Sequence, residues 1–214
     1  GDGVSETGSL LRDTALGIKT ILKTPAVLLG MSFVLTLAMI YLPTEMVVLP
    51  AHFNELDYAT GLGILISTMA GASVLGALLF ERLQKSLSYS TILKLGFIGI
   101  GLSVLVMSFI PPLPIMMAAG AVLGFSWGPL MPMLNTVIQR IIPENMRGRV
   151  FGIEMTIWGA GPLLTAVGVG LAVDSVGVQP VYLFLAILVL FLSIFVSFNK
   201  ANIQLDKAQK IEAV

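Results

Sequence analysis

The sequence predicts an all-α membrane protein with six transmembrane helices. Hydrophobic residues make up 56% of its 214 positions, and charged residues make up only 11%. An ordinary soluble domain carries about 25% charged residues, so this chain has too few charges to cover a surface that faces water. Long apolar runs and a one-sided placement of cations complete the prediction, because they define the number and the orientation of the spans.

The apolar runs are continuous rather than alternating, which predicts helices and excludes the strands of a membrane barrel. Each run approaches the ~20 residues that a helix needs to cross the ~30 Å hydrocarbon core. Together they form one transmembrane unit over residues 26–198. The predicted spans are residues 26–50, 60–80, 91–110, 115–138, 150–173 and 181–198.

The cations predict which connections are cytoplasmic. The 12 Lys and Arg residues form four groups. These groups lie before the first span, after the second, after the fourth and after the sixth, and the three other connections carry no Lys or Arg. Cations that flank spans are retained on the cytoplasmic side, so both termini are assigned to the cytoplasm. The groups are Arg12, Lys19 and Lys23; Arg82, Lys85 and Lys94; Arg140, Arg147 and Arg149; and Lys200, Lys207 and Lys210.

The segments outside the spans have distinct compositions. Residues 1–25 are predicted to be a cytoplasmic linker whose residues 9–24 form an amphipathic helix on the inner membrane surface, with an unstructured linker as the alternative. An acidic connection after the first span carries His52, which is expected to be a solvated loop residue. Residues 199–214 are predicted to be a cytoplasmic tail.

Small residues and prolines indicate how the spans pack. Lipid gives helices little hydrophobic drive to associate, so close contacts need residues that let backbones approach. Prolines inside spans free backbone carbonyls, so the first, fourth and fifth spans are expected to face protein or a wet cavity. The small residues are Ala72, Gly76, Gly120, Gly124, Gly128, Gly159, Gly161, Gly168 and Gly170, and the prolines are Pro43, Pro129, Pro132 and Pro162.

Polar and aromatic side chains at membrane depth are the candidate functional residues, since burying polar groups in hydrocarbon is costly. Glu45 lies between two prolines, and it either exchanges a proton during a conformational cycle or is solvated at the headgroups. Asn135 and Gln139 either line a pathway or satisfy carbonyls that a nearby proline frees. Trp127 and Trp158 either face a cavity or fill a helix interface.

Other residue types exclude several classes of function. There are no cysteines and one histidine, so disulfides and thiolate metal sites are excluded, and no metal or cofactor is expected. The scattered carboxylates supply no convergent nucleophile and base, which argues against an enzyme. A formal net charge of zero argues against a nucleic-acid partner. Glu154, close in sequence to two arginines, is expected to form an interfacial ion pair.

Two inner loops carry a family resemblance that covers residues 10–198. Residues 143–152 read PENMRGRVFG, which resembles the P-E-x-x-R-G-R-V-F-G signature between the fourth and fifth spans of the carboxyl-terminal half of major facilitator superfamily transporters. Residues 76–82 with Lys85 resemble that superfamily's G-x-x-x-D-R motif, with Glu81 in place of the Asp. The G-R-R-K run that follows the motif in the family is absent here.

The resemblance implies that the chain is the carboxyl-terminal six-helix half of such a transporter, built as two inverted three-helix repeats. Similarity to the drug/proton antiporter branch implies efflux of amphiphilic small molecules by alternating access, coupled to protons, across a bacterial plasma (inner) membrane. The family likeness implies a cytoplasmic gate of charge pairs that form in one state and break in the other, with simple membrane anchoring as the alternative. The gate residues are Glu81, Arg82, Glu144, Arg147 and Arg149.

The expected partners follow from the length of the chain, which suffices for one six-helix half of such a transporter. The sequence begins with Gly1 rather than Met and opens on a polar stretch, so it is expected to be part of a longer protein. A lone half would expose its central face to lipid, which predicts either an amino-terminal six-helix half or a second copy in a homodimer, besides membrane lipid and a small-molecule substrate. The alternative function is a six-span oligomeric channel or a non-transporting membrane scaffold.

Overall fold

The computed structural model describes residues 2–197 and 201–210, with side chains over 12–195 and 201–210. All regular structure in these residues is helical, and six stretches are long and apolar enough to cross a membrane. This confirms the predicted fold class. The helices are α1 (Asp2–Lys23), α2 (Pro25–Thr36), α3 (Leu49–Glu55), α4 (Ala59–Ser86), α5 (Tyr89–Ser108), α6 (Leu113–Trp127), α7 (Leu130–Ile141), α8 (Glu144–Val176), α9 (Val178–Ser197) and α10 (Asn202–Gln209).

Two of the six spans are composite. The first span joins α2 to α3 through two π-helical segments, Leu37–Tyr41 and Thr44–Val48, and the fourth joins α6 to α7. The second, third, fifth and sixth spans are α4, α5, α8 and α9. The first span continues to Glu55, beyond the predicted end at residue 50, because Pro50 lies in the first turn of α3, where no amide donor is needed.

His52 is therefore a helical residue rather than a loop residue, and the prediction of a solvated loop position is wrong. It is half-buried, and its ring centroid lies 5.3 Å from that of Phe53 in an edge-on arrangement. The turn into the second span follows only at Asp57, whose φ of 49° ends the helix.

The packing of the spans follows a two-fold pattern. The second span packs along the fourth, the first packs along the fifth, and the third and sixth pack against each other. Exchanging spans one to three with spans four to six leaves this set of pairs unchanged, as expected for two repeats related by a two-fold axis. The second and fifth spans also match in burial, since only 17% of the most apolar window is buried in each.

Glycines bring the second and fourth spans into backbone contact. A Cβ atom at Gly124 would collide with the carbonyl group of Met69, and one at Gly128 would collide with the carbonyl oxygen of Ser73. The predicted packing role of the glycine series in the fourth span is therefore seen. In the fifth span, by contrast, a Cβ atom added at Gly159, Gly168 or Gly170 would have no neighbouring atom within 4 Å, so these glycines lie on an open face.

Helix α1 packs against the amino-terminal end of the fifth span. A Cβ at Gly17 would lie 2.7 Å from Ile153 Cδ1 and 3.2 Å from Arg149 Cβ, so the two helices approach closely there. The Arg149 guanidinium also forms an ion pair of 2.9 Å with Asp13 of α1. Both side chains are partly exposed, so we expect this pair to contribute under ~1 kcal/mol.

Helix α10 supplies two of the three side chains that cap the start of the third span. The hydroxyl of Ser88 accepts a hydrogen bond from the amide of Thr91, as an ordinary N-cap residue does. The amide of Ser90 donates to Asp206 Oδ1 at 2.9 Å, and the amide of Tyr89 donates to Gln209 Oε1 at 2.8 Å. Three otherwise unpaired donors are satisfied in this way.

The same carboxyl-terminal end of α10 is also held by the fourth span. Arg140 donates from Nη1 to the carbonyl oxygens of Ala208 and Gln209, at 3.3 and 2.8 Å. A guanidinium at this end of a helix also interacts favourably with the helix dipole. Gln209 Nε2 donates to the carbonyl oxygens of Gln84 and Leu87. Helix α10 therefore ties the connection between the second and third spans to the end of the fourth.

We expect Gly124→Ala to destabilise the protein by about 1–3 kcal/mol, because the added methyl group meets the backbone of the second span. The better helix propensity of alanine offsets at most ~1 kcal/mol of this cost. Gly159→Ala is the matched control, and its thermal midpoint in detergent should be unchanged or slightly raised. Equal midpoints for the two variants would contradict the close backbone contact.

We expect Asp206→Ala to loosen the start of the third span at a cost of about 0.5–2 kcal/mol, because the Ser90 amide loses its cap. Hydrogen exchange followed by mass spectrometry should show faster exchange over residues 89–91. Lys207→Ala changes an exposed neighbour and serves as the control. Unchanged exchange in Asp206→Ala would show that α10 does not cap this helix in solution.

Candidate functional site

The first span is widened around Pro43. Proline has no amide hydrogen, and its ring crowds the preceding helical turn. On either side of it the backbone adopts π-helical hydrogen bonds: the amide of Leu42 donates to Leu37 O, and the amide of Leu49 donates to Thr44 O. Such bulges occur often at functional sites.

A cavity of about 240 Å³ opens beside this widened segment. It lies between the first, second and fourth spans, so its shape depends on how closely the second and fourth spans approach. The close contact at Gly124 and Gly128 brings Met69 and Ser73 of the second span to the cavity wall. The lining residues are Tyr41, Glu45, Ile66, Met69, Ala70, Ser73, Leu123, Gly124 and Trp127.

One end of the cavity is polar. The hydroxyl of Tyr41 donates to Glu45 Oε2 at 3.0 Å, which orients the carboxylate across one turn of the first span. Glu45 is half-buried, whereas Tyr41 is 3% exposed. Tyr182 of the sixth span is also buried and lies within electrostatic range of Glu45. This end of the cavity presents one carboxylate, which accepts a hydrogen bond from Tyr41.

An aromatic row leads from this polar end to the fifth span. The ring centroids of Tyr41 and Trp127 are 5.2 Å apart, and those of Trp127 and Trp158 are 5.6 Å apart. Both separations fall in the range of favourable tilted aromatic pairs. Of the two tryptophans singled out in the sequence, Trp127 lines the cavity, and Trp158 packs behind it.

Glu154 does not form the interfacial ion pair that its neighbours in sequence suggested. Its side chain is 0% exposed, and neither carboxylate oxygen has a hydrogen-bond partner among the residues that the structure describes. Arg149 binds Asp13 and the sulfur of Met146, and Arg147 Nε donates to the carbonyl oxygen of Ile142. The prediction failed because the face of the fifth span that carries Glu154 turns inward.

The other predicted pathway residues lie apart from the cavity. Asn135 is half-buried on the fourth span, about two helical turns after Trp127. Gln139 is exposed one turn further along the same helix. Neither side chain lines the cavity beside Glu45.

The predicted gate residues lie at the ends of the second and fifth spans. Glu81, Arg82 and Glu144 are exposed, and Arg147 is half-buried. Among the residues whose side chains are described, the ion pair found joins Arg149 to Asp13 of α1 rather than two of these gate residues. In this conformation the predicted gate residues therefore do not pair with one another.

Sequence reasoning missed Tyr41, Tyr182 and the residues of the second span that line the cavity. Tyr41 had a detectable signal, since it lies four residues before Glu45 and therefore one turn away on the same helix. Met69 and Ser73 had none, because their positions depend on a tertiary contact. Within the described residues no cluster of three potential metal ligands occurs.

Comparison with known proteins agrees with this architecture. A family model described as Major Facilitator Superfamily matches residues 26–210. The chain belongs to the Major Facilitator Superfamily. The match includes all six spans and continues through α10.

Several curated relatives are multidrug efflux pumps. The chain is 31% identical over 172 residues to the multidrug efflux pump Tap of Mycolicibacterium fortuitum, covering 80% of this chain and 42% of that protein. It is 33% identical over 154 residues to the multidrug efflux pumps Tap of Mycobacterium bovis and Mycobacterium tuberculosis, covering 72% of this chain and 36% of each. The chain thus spans less than half the length of these relatives.

Proposed function

We propose that this chain is the carboxyl-terminal half of a secondary active transporter that exports amphiphilic small molecules. The observation that carries the proposal is the cavity between the first, second and fourth spans, with a carboxylate at one end and a tryptophan in its wall. The relatives are multidrug efflux pumps, which supports export as the direction and drugs as the substrate class.

The lining of the cavity suits an amphiphile. Ile66, Met69 and Leu123 supply an apolar surface, and a thioether side chain such as that of Met69 adapts to ligands of different shape. Glu45 can pair with a cationic group or accept hydrogen bonds from a ligand. The face of Trp127 can stack on an aromatic ring or attract a cation. We propose Glu45, Tyr41 and Trp127 as the principal binding residues.

A partner half is the second part of the proposal. The second and fifth spans leave most of their apolar surface uncovered, and the missing length of the relatives equals at least another half. We propose that an amino-terminal six-helix half packs on these two faces and closes the cavity. A second copy of this chain is the other possible occupant, and a homodimer in detergent would favour it. The exposed residues include Ile64, Val74, Leu75, Leu78, Met155, Leu163, Leu164, Val167 and Leu171.

Alternating access between two such halves would use the inner-face charges. In our proposal the chain lies in the plasma membrane with both termini in the cytoplasm. Glu81 and Arg82 of the second span then pair with the other half when the inner side closes, together with Glu144, Arg147 and Arg149 of the fifth. We further propose that Glu45 exchanges a proton during the cycle, and that Asn135 and Gln139 line the inner exit.

We expect Glu45→Gln to weaken the binding of tetraphenylphosphonium, a lipophilic cation, by at least tenfold, which corresponds to about 1.4 kcal/mol. The loss arises because an amide cannot form an ion pair with the ligand. Tyr41→Phe should weaken binding less, since it removes only the group that orients the carboxylate. Ligand-dependent shifts of the thermal midpoint report the affinity.

Glu55→Gln is the matched control, because Glu55 is an exposed carboxylate on the same span. It should bind the cation as the parent protein does. Equal affinity in Glu45→Gln and Glu55→Gln would remove Glu45 from the binding site. Gradient-driven transport in vesicles that survives Glu45→Gln would remove its role in proton exchange.

A further inference from the structure

Glu154 and Trp158 form an unsatisfied polar pair inside the fifth span. They lie four residues apart, on the same face of the helix. Both carboxylate oxygens of Glu154 and the indole Nε1 of Trp158 are buried and have no hydrogen-bond partner in the described part of the chain. The indole lies near the carboxylate, but the two groups do not meet hydrogen-bond geometry. Such neighbouring unpaired groups are unusual in a folded interior, where nearly all buried polar groups are bonded.

The face that carries this pair points at the first span. One turn beyond Trp158, a Cβ at Gly161 would lie 3.2 Å from Ala38 Cβ and 3.4 Å from Met39 Cγ. The aromatic row then connects Trp158 through Trp127 to the cavity at Glu45. Glu154 thus lies behind the aromatic row rather than in the cavity wall.

The described residues supply no counter-ion to a charged Glu154 in this conformation. Arg149 binds Asp13, and Arg147 donates to a backbone carbonyl. An isolated charge in such surroundings costs several kcal/mol, whereas a carboxylic acid avoids that cost. Among the described side chains, the ionisable ones on α1 and on the spans packed against the fifth span are Arg12, Asp13, Lys19, Lys23, Tyr41, Glu45, His52, Glu55, Arg140 and Tyr182, and the fifth span itself carries Glu144, Arg147, Arg149 and Asp174.

We propose that Glu154 is a second proton-exchange site, distinct from Glu45, which holds its proton on a carboxylate oxygen while it is buried as here. When water reaches the fifth span, the proton passes to water as hydronium and leaves the carboxylate charged. The inference deepens the proposed function, because the transport cycle would supply the opening. Glu45 then serves substrate binding and the proton exchange already proposed for it, and Glu154 adds a second exchange site.

The structure offers a route for that opening. Helix α1 closes over the inner side of Glu154, through the close approach of Gly17 to Ile153 and the ion pair of Asp13 with Arg149. If α1 moves away, Arg149 loses the Asp13 carboxylate as its partner. The Arg149 position lies just over one helical turn before Glu154. Arg147 lies two turns before Glu154, about 10 Å along the axis, on the same helix face. Both arginines would then favour the ionised carboxylate.

Infrared spectroscopy tests the protonation state directly. The protein in lipid nanodiscs at neutral pH should show the C=O stretching band of a carboxylic acid, and Glu154→Gln should lose that band. Glu45→Gln is the matched control and should retain it. Absence of the band from the parent protein, or its persistence in Glu154→Gln, would overturn the proposal. Loss of the band in Glu45→Gln but not in Glu154→Gln would also overturn it.

The tryptophans allow a second test that does not need the infrared assignment. The sequence contains two of them, so Trp127→Phe leaves Trp158 as the only indole fluorophore. Its emission should change with pH as Glu154 exchanges its proton, and Trp127→Phe with Glu154→Gln should lose this change completely. A pH-dependent transition that survives in the double variant would contradict the assignment to Glu154.

These readouts separate the inference from the proposed function. Loss of tetraphenylphosphonium binding concerns Glu45 and the cavity, whereas the infrared band and the Trp158 titration concern Glu154 alone. A protein that binds the cation but lacks the carboxylic acid band keeps the proposed function and refutes the second proton site. A protein that shows the band but does not bind the cation keeps the second proton site and refutes the proposed binding function.

Discussion

Hydrocarbon offers no hydrogen-bond partner, so the polar groups inside six membrane spans must find their partners within the protein. Pro43 breaks the regular pattern of the first span, and the π-helical turns on both sides restore hydrogen bonds at the cost of a wider helix. Tyr41 and Glu45 lie one turn apart in this segment, and the Tyr41 hydroxyl donates to the Glu45 carboxylate. The need for internal partners therefore applies to the backbone around Pro43 and to the polar end of the cavity alike.

Close backbone contact between the second and fourth spans has a consequence for the rest of the bundle. Gly124 and Gly128 let the second span approach the fourth very closely, so one face of the second span is buried against the fourth. Its other face remains apolar and uncovered, and the fifth span repeats the pattern by symmetry. Helices that bind firmly on one side and present a smooth surface on the other can carry a cavity wall while sliding against a second body.

Composition, apolar runs and cation placement were sufficient to predict the six helices, because each span is marked by its own local stretch of sequence and does not depend on tertiary contacts. Glu45 and Trp127 were also identifiable, since a carboxylate and an indole at membrane depth are rare. The second-span wall of the cavity was not predictable, because Met69 and Ser73 reach it only through the approach of Gly124 and Gly128. Glu154 was misassigned for a related reason: nearby arginines in sequence suggest a pair, but helix rotation decides whether the side chains meet.

The aromatic row gives the two carboxylates a physical connection. Glu45 lies at a cavity that a ligand can enter, whereas Glu154 is sealed behind Trp158. A ligand that displaces Trp127 must also disturb Trp158, because their rings are only 5.6 Å apart, and Trp158 shares a helix face with Glu154. In the proposed cycle, coupling by this route is steric, because it passes through the packed rings of the row. Replacing an indole of the row with a smaller side chain would therefore uncouple the sites while leaving both carboxylates in place.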